Sequence, residues 1–294
     1  MKLAALKGGP DGRLVVVSND LAWCADASPV AASLREALDD WEARSPQLRA
    51  LARDLEIGAA PRLRFHEHEA AAPLPRAIQH ISAGARGRGT GADPIPRQRA
   101  SDGFTGARDV VGLETETWGC ALDAGLAVIV GEVPRGASRA TAADAIRLVT
   151  LVGDVTLSAL LTEDYMRGFG TLHGRPDTAL GPVAVTPDAL GDAWRDGRLH
   201  ARMEISRNGG PVRELTADAG LAFDFPTLIA HAARTRGLGM GTVITSGAIA
   251  DGRAEATPLS YGDEVRIDVR DARGHSIFGA IERRILPPGS DSAR

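Results

Sequence analysis

Lysine is scarce, aromatic residues make up 4% of the 294 residues, and cysteine occurs only twice. The two thiols, Cys24 and Cys120, lie far apart, which excludes a disulfide-stapled framework and a cysteine-rich metal knuckle. They read as small buried apolar side chains. No apolar run approaches the roughly 20 residues that cross a bilayer, and Leu3-Ala4-Ala5-Leu6 is too short for the core of a signal peptide. A cytoplasmic protein with no membrane partner is expected. An excess of positive charge is also missing, since 34 Lys plus Arg stand against 38 Asp plus Glu for a formal net charge of −4. That balance excludes the electrostatic footprint of a nucleic-acid binder. The scarcity of lysine beside abundant alanine, glycine and arginine follows a GC-rich coding bias and carries no functional weight.

What is present is ordinary globular material, 44% apolar and 24% charged, long enough for one large domain or one with a small appendage. Leu3–Leu6 and Leu14–Val17 flank the turn cluster Gly8-Gly9-Pro10-Asp11-Gly12 and predict a hairpin. Leu34, Leu38, Trp41, Leu48, Leu51 and Leu55 recur at helical spacing, with a break expected at Ser45-Pro46. Residues 1–72 thus read as a small α+β unit. Beyond it, strand-like runs dominate 73–294: 126–130, 148–152, 201–205, 243–245, 265–269 and 277–281, with Asn208-Gly209 as a hairpin turn. Helical pattern appears only at 142–148, 155–165 and 226–236. The fold class expected is α+β and β-rich.

Several motifs fail on context. Gly87-Arg88-Gly89-Thr90-Gly91-Ala92 loosely fits G-x-G-x-x-A, but no βαβ unit surrounds it, and the stretch Gly84 to Pro96 reads as a loop. G-x-S-x-G and H-E-x-x-H are absent. His66-Glu67-His68-Glu69, taken as a strand, would put both imidazoles on one face but supplies no third ligand, and reads as a solvated strand end. Gly237-Leu238-Gly239-Met240-Gly241 reads as a tight turn after a helix rather than a phosphate cradle.

The remaining candidates are carboxylates at the ends of apolar segments: Asp102, Asp123 and Asp154. Three converging carboxylates would make an oxygen-only site for Mg²⁺, Mn²⁺ or Ca²⁺, able to hold an enolisable dicarbonyl as a chelate. Their order and flanks resemble the fumarylacetoacetate hydrolase family. The resemblance rests on Asp11-Gly12-Arg13-Leu14-Val15, Pro73-Leu74-Pro75-Arg76-Ala77, Ala100-Ser101-Asp102-Gly103-Phe104, Val128-Ile129-Val130-Gly131-Glu132-Val133-Pro134, Pro182-Val183-Ala184-Val185-Thr186-Pro187 and Ser276-Ile277-Phe278-Gly279-Ala280-Ile281-Glu282, and it spans nearly the whole chain. It implies a mixed β-sandwich roll behind a small N-terminal domain, a homodimer, and chemistry on small 2-oxo acids or β-diketones. Asp102 and Asp154 match the first and last positions of the family's metal site.

The middle of that site departs from the pattern. Where the family reads Asp-Phe-Glu-x-Glu, this chain has Ala121-Leu122-Asp123-Ala124-Gly125, so one ligand shortens to Asp123 and another becomes Gly125. Arg175 stands at the family's lysine, and it can clamp a carboxylate with two hydrogen bonds but cannot act as a base. The threonine after Ser-Gly is Ala248, and the segment carrying the family's histidine is shortened, which leaves His80 and His173 as candidate replacement bases. The expectation is a repurposed member that stabilises an enol for decarboxylation, tautomerisation, dehydration or cyclisation, a drift that fits specialised-metabolite biosynthesis. The alternatives are conventional metal-dependent C–C hydrolysis of acylpyruvates or β-diketones and a non-catalytic dimeric scaffold.

Overall fold

The computed structural model describes residues 1–83, 93–168, 170–249 and 257–290. The candidate dinucleotide loop at 87–92 lies outside the described residues. Strands β1 (Lys2–Leu6) and β2 (Arg13–Val17) form the expected hairpin, Leu3 opposite Val16. β3 (Trp23–Asp26) extends it, and helices α1 (Leu34–Asp39) and α2 (Trp41–Glu56) cover one face through Leu34, Leu38, Trp41, Leu48 and Leu55. The helix break falls at Asp40, with φ −137° and ψ 52°, and not at Ser45-Pro46. Pro46 lies inside α2, where it leaves the Glu42 carbonyl without its helical N–H partner.

β4 (Leu63–Arg64) and β5 (Ala70–Ala71) complete the N-terminal part. His66 to Glu69 is not a strand end: Glu67–Glu69 forms a 3₁₀ turn, which brings the two imidazole centroids within 5.4 Å and abolishes the predicted alternation. β6 (His80–Ala83), β7 (Pro96–Arg99) and β8 (Val111–Gly112) follow, then the long β9 (Cys120–Val130), α3 (Arg139–Asp144), the long β10 (Ile146–Leu157) and α4 (Ser158–Arg167). Two predicted helices are cut back by β10. Residues 146–148 and 155–157 look helical in isolation, yet they pair with β9 from Ile146 opposite Val130 to Leu157 opposite Cys120. A full antiparallel ladder on a buried face outweighs local helical pattern.

Then come β11 (Thr178–Leu180), β12 (Ala184–Val185), the small hairpin β13 (Trp194–Arg195) and β14 (Arg198–Leu199), β15 (Arg202–Arg207), β16 (Arg213–Thr216), α5 (Phe225–Ala232), β17 (Thr242–Thr245), β18 (Glu264–Arg270) and β19 (Ile281–Leu286). Asn208 and Gly209 both take positive φ, 54° and 65°, as a tight β15–β16 turn requires. The strand expected at 277–281 begins only at Ile281, after Gly279 at φ +75°.

Among the described residues, twelve strands join one sheet in the order β4-β3-β2-β1-β12-β10-β9-β17-β6-β7, with β11 on β10 and β5 on β1. A second sheet runs β16-β15-β18-β19-β8. The N-terminal part is thus continuous with the larger β-rich part through β1 and β12. Even-numbered β9 residues (Leu122, Ala124, Leu126, Val128, Val130) enter the main core, whereas Ala127 and Ile129 face a second cluster under α1 and α2. Cys24 and Cys120 are free and buried, as expected. No helix among the described residues is long and apolar enough to cross a membrane.

Candidate functional site

The odd-numbered face of β9 changes character along its length. Ile129 and Ala127 pack in the second core, Gly125 has no side chain, and Asp123 carries a buried carboxylate. Its neighbour β10 does the same through Leu148, Val152, Asp154 and Thr156, and the register sets Asp123 directly opposite Asp154. Two like charges facing each other across a ladder repel. Their burial is sustained by what surrounds them.

Arg99, from β7, and Arg175, from the loop before β11, supply two guanidinium groups. Arg99 donates from Nη1 and Nη2 to both oxygens of Asp154 at 3.4 Å, and further to the Thr178 hydroxyl at 3.1 Å and the Arg175 carbonyl at 3.2 Å. Arg175 reaches Asp123 at 3.4 Å and Asp154 at 3.5 Å. The Thr178 hydroxyl donates to Asp154 Oδ1 at 2.5 Å, and Thr156 donates to Asp123 Oδ2 at 2.8 Å. Burial pushes the Asp154 carboxyl upward, but Arg99 and Arg175, with smaller help from His80 and Thr178, hold it below the usual carboxylate range. Asp154 is therefore an anion at neutral pH.

His80 lies beside this cluster, fully buried and in contact with Phe104 at 5.0 Å between ring centroids. Its Nδ1 lies 3.1 Å from the Ala100 carbonyl, which can only accept, so Nδ1 carries the proton and Nε2 is the acceptor 3.4 Å from the Thr245 hydroxyl. Burial pushes the imidazole pKa down to about 4. It is a neutral group with a lone pair held inside the protein.

His173 is placed differently. Its side chain is 67% exposed, while Asp164, at the end of α4, takes Nδ1 at 2.9 Å and the backbone N–H groups of His173 and Gly174 at 3.0 and 2.9 Å. The Gly174 and His173 bonds hold the Asp164 carboxyl below its ordinary range. His173 stands two residues before Arg175 in the chain.

The expected metal set is not gathered. Asp123 and Asp154 meet, but Asp102 is exposed on the segment after β7, and among the described residues no group of three or more His, Cys, Asp and Glu side chains could hold an ion. Gly125 cannot simply be refilled: a Cβ there would stand 2.7 Å from the Gly247 carbonyl oxygen. Sequence reasoning missed Arg99, Thr156, Thr178 and Asp164. Arg99 sits in the short run Arg97-Gln98-Arg99, where nothing local distinguishes its inward charge from the outward one.

The description "Fumarylacetoacetate (FAA) hydrolase C-terminal" matches residues 92–286, and "Fumarylacetoacetase N-terminal domain 2" matches residues 1–76. Comparison with curated proteins gave no match. Among solved structures, the chain is similar to maleylpyruvate hydrolase from Sphingobium sp. SYK-6 in complex with manganese(II) and pyruvate, at 20% identity and TM-score 0.70, covering 98% of this chain and 99% of that one. It is also similar to a fumarylacetoacetate hydrolase from Exiguobacterium antarcticum, at 20% identity and TM-score 0.71, covering 98% and 99%. A third is 5-carboxymethyl-2-hydroxymuconate delta-isomerase from Mycobacterium smegmatis, at 20% identity and TM-score 0.65, covering 98% and 100%. At these identities the structures establish the fold.

Proposed function

Because the chain belongs to the fumarylacetoacetate hydrolase family, which includes hydrolases and isomerases, we propose that it acts on a small carboxylated 2-oxo or 1,3-dicarbonyl compound, cleaving a carbon–carbon bond by hydrolysis. The observation that carries this reading is Arg175, a guanidinium only partly exposed, at 17%, that spans Asp123 and Asp154 at the polar end of β9 and β10. The similarity to two hydrolases favours C–C hydrolysis over the decarboxylation, tautomerisation, dehydration or cyclisation of a repurposed enzyme.

A hard divalent ion is held by anionic oxygens, with water completing its shell. Here the two carboxylates already face two guanidinium groups, Asp102 is exposed and Gly125 offers nothing. The described residues do not fit such an ion, and the steps below use none. Arg175 binds the substrate carboxylate through its fork of N–H groups. The same positive charge lies where electron density collects on the enolate as the C–C bond breaks. Water requires a base, and His173 supplies one, with Asp164 as its positioning residue, in the manner of any carboxylate-oriented imidazole. His80, neutral and fully buried, adds no charge to the cluster.

The test is incubation with a panel of acylpyruvates, following the enol absorbance and quantifying products. Pyruvate and a second acid in equal amounts are expected. Carbon dioxide or an isomer in their place would return the reading to the repurposed enzyme. Neither turnover nor saturable binding would leave the non-catalytic scaffold.

A further inference from the structure

We infer that Arg99 is a built-in counter-ion: it occupies the electrostatic role of a cation beside Asp123 and Asp154, and the site holds no resident divalent metal. Three independent features point this way. First, the side chains of Arg99 and Asp154 are each 3% exposed, and a guanidinium buried to that degree beside a carboxylate is a fixed part of the fold. Second, among the described residues the charges balance, since Asp123 and Asp154 face Arg99 and Arg175. A divalent ion bound between the carboxylates would add two positive charges to a buried cluster with two guanidinium groups 3.4–3.5 Å from the same oxygens. Inside a protein that repulsion is weakly screened. Third, space for another carboxylate on β9 is closed, because the Gly247 carbonyl lies 2.7 Å from where a Gly125 side chain would begin.

The distances themselves suit this arrangement. Charge-assisted N–H···O bonds are ordinarily about 2.7–2.9 Å, whereas the four guanidinium contacts to the carboxylates run 3.4–3.5 Å. Among the described residues the four side chains form a loose, net-neutral quartet. Arg99, fully enclosed and tied to Thr178 and the Arg175 carbonyl, keeps Asp154 compensated when the more open Arg175 turns toward a substrate carboxylate. This assignment rests on the proposed site but not on the proposed reaction.

The experiment is metal binding to the full-length protein. Purified protein is equilibrated with Mn²⁺, desalted, and measured for bound metal and for thermal midpoint with Mn²⁺, Mg²⁺, Ca²⁺ or EDTA. Substoichiometric metal and midpoints unchanged within about 1 °C are expected; a bound ion in large excess over its Kd raises the midpoint by roughly 5 °C or more. One Mn²⁺ per chain, or an EDTA-sensitive midpoint, would overturn the inference. Arg99→Met, checked for folding by circular dichroism, should unfold at lower urea than wild type and Arg99→Lys should recover part of that loss, since the cation compensates Asp154. A folded Arg99→Met variant as stable as wild type removes Arg99 as the counter-ion, and the wild-type metal measurement decides the matter should the variant not fold. Acylpyruvate assays with EDTA and with added Mn²⁺ separate the two claims: hydrolysis that appears only with Mn²⁺ overturns this inference and spares hydrolysis as the function, while hydrolysis absent under both conditions overturns that function and leaves this inference standing on the metal-binding result.

Discussion

Asp123 and Asp154 face each other across β9 and β10, and one guanidinium, that of Arg175, reaches both, at 3.4 and 3.5 Å. Such a pair is tolerable only while its counter-charges remain, so the site's stability and its chemistry are properties of the same four side chains.

Asp154→Ala leaves Arg99 buried without its main partner and should cost roughly 3–5 kcal/mol in urea unfolding. The double variant Arg99→Met/Asp154→Leu should recover more than half of that loss, since removing both charges avoids the orphan. Additive losses in the double variant would show that the two residues do not act as a pair.

Gly125→Ala should destabilise the protein by about 1–3 kcal/mol, the cost of forcing atoms into a packed interior. The new methyl would meet a backbone carbonyl, that of Gly247, at 2.7 Å, and backbone yields less readily than a flexible side chain. Chemical denaturation at neutral pH checks it, and an unchanged midpoint would mean the Gly247 segment moves aside freely.

His80 makes stability pH-dependent in a defined window. Its imidazole pKa falls from the ordinary 6.5 to about 4 on folding, so between these values the unfolded chain binds more protons than the folded one. Stability is then fully present above about pH 6.5 and lost as pH falls toward 4, by at most roughly 3 kcal/mol. The buried Met1 amino group, lowered to about 6 from 8.0, adds a slope of the same sign at higher pH. The difference between wild type and His80→Gln, measured from pH 4 to 8, isolates the imidazole: the variant should lack the lower part of the slope. Parallel curves would place the titration elsewhere.

Arg175→Lys keeps the charge and loses the fork. Pyruvate affinity by calorimetry should weaken about tenfold or more, while the thermal midpoint changes little because Arg175 is partly exposed. Equal affinity for pyruvate in the two proteins would show that charge alone suffices and that the bidentate contact is not made.

Asp164→Asn should lower kcat for acylpyruvate hydrolysis by about 10- to 100-fold with KM little changed, because the amide no longer orients the His173 ring. A merely structural role would reduce the amount of folded protein and leave kcat per folded chain where it was.

Much of this molecule is written in local pattern. The β1–β2 hairpin, the Asn208-Gly209 turn, the buried cysteines, the β-rich class and the family resemblance were all legible, because alternation, turn chemistry and motif order act over a few residues. The Asp123–Asp154 pair was legible as two carboxylates at strand ends. What the sequence could not supply were the partners. Arg99 lies 55 positions from Asp154, and whether its guanidinium faces water or a buried carboxylate depends on β7 joining the sheet edge beside β6. The same non-local pairing turned the helical-looking 155–157 into strand and closed the space at Gly125 against a carbonyl more than a hundred residues away. Local physics set which elements could form; long-range pairing, by deciding which backbone groups and charges are buried together, set which residues make the site.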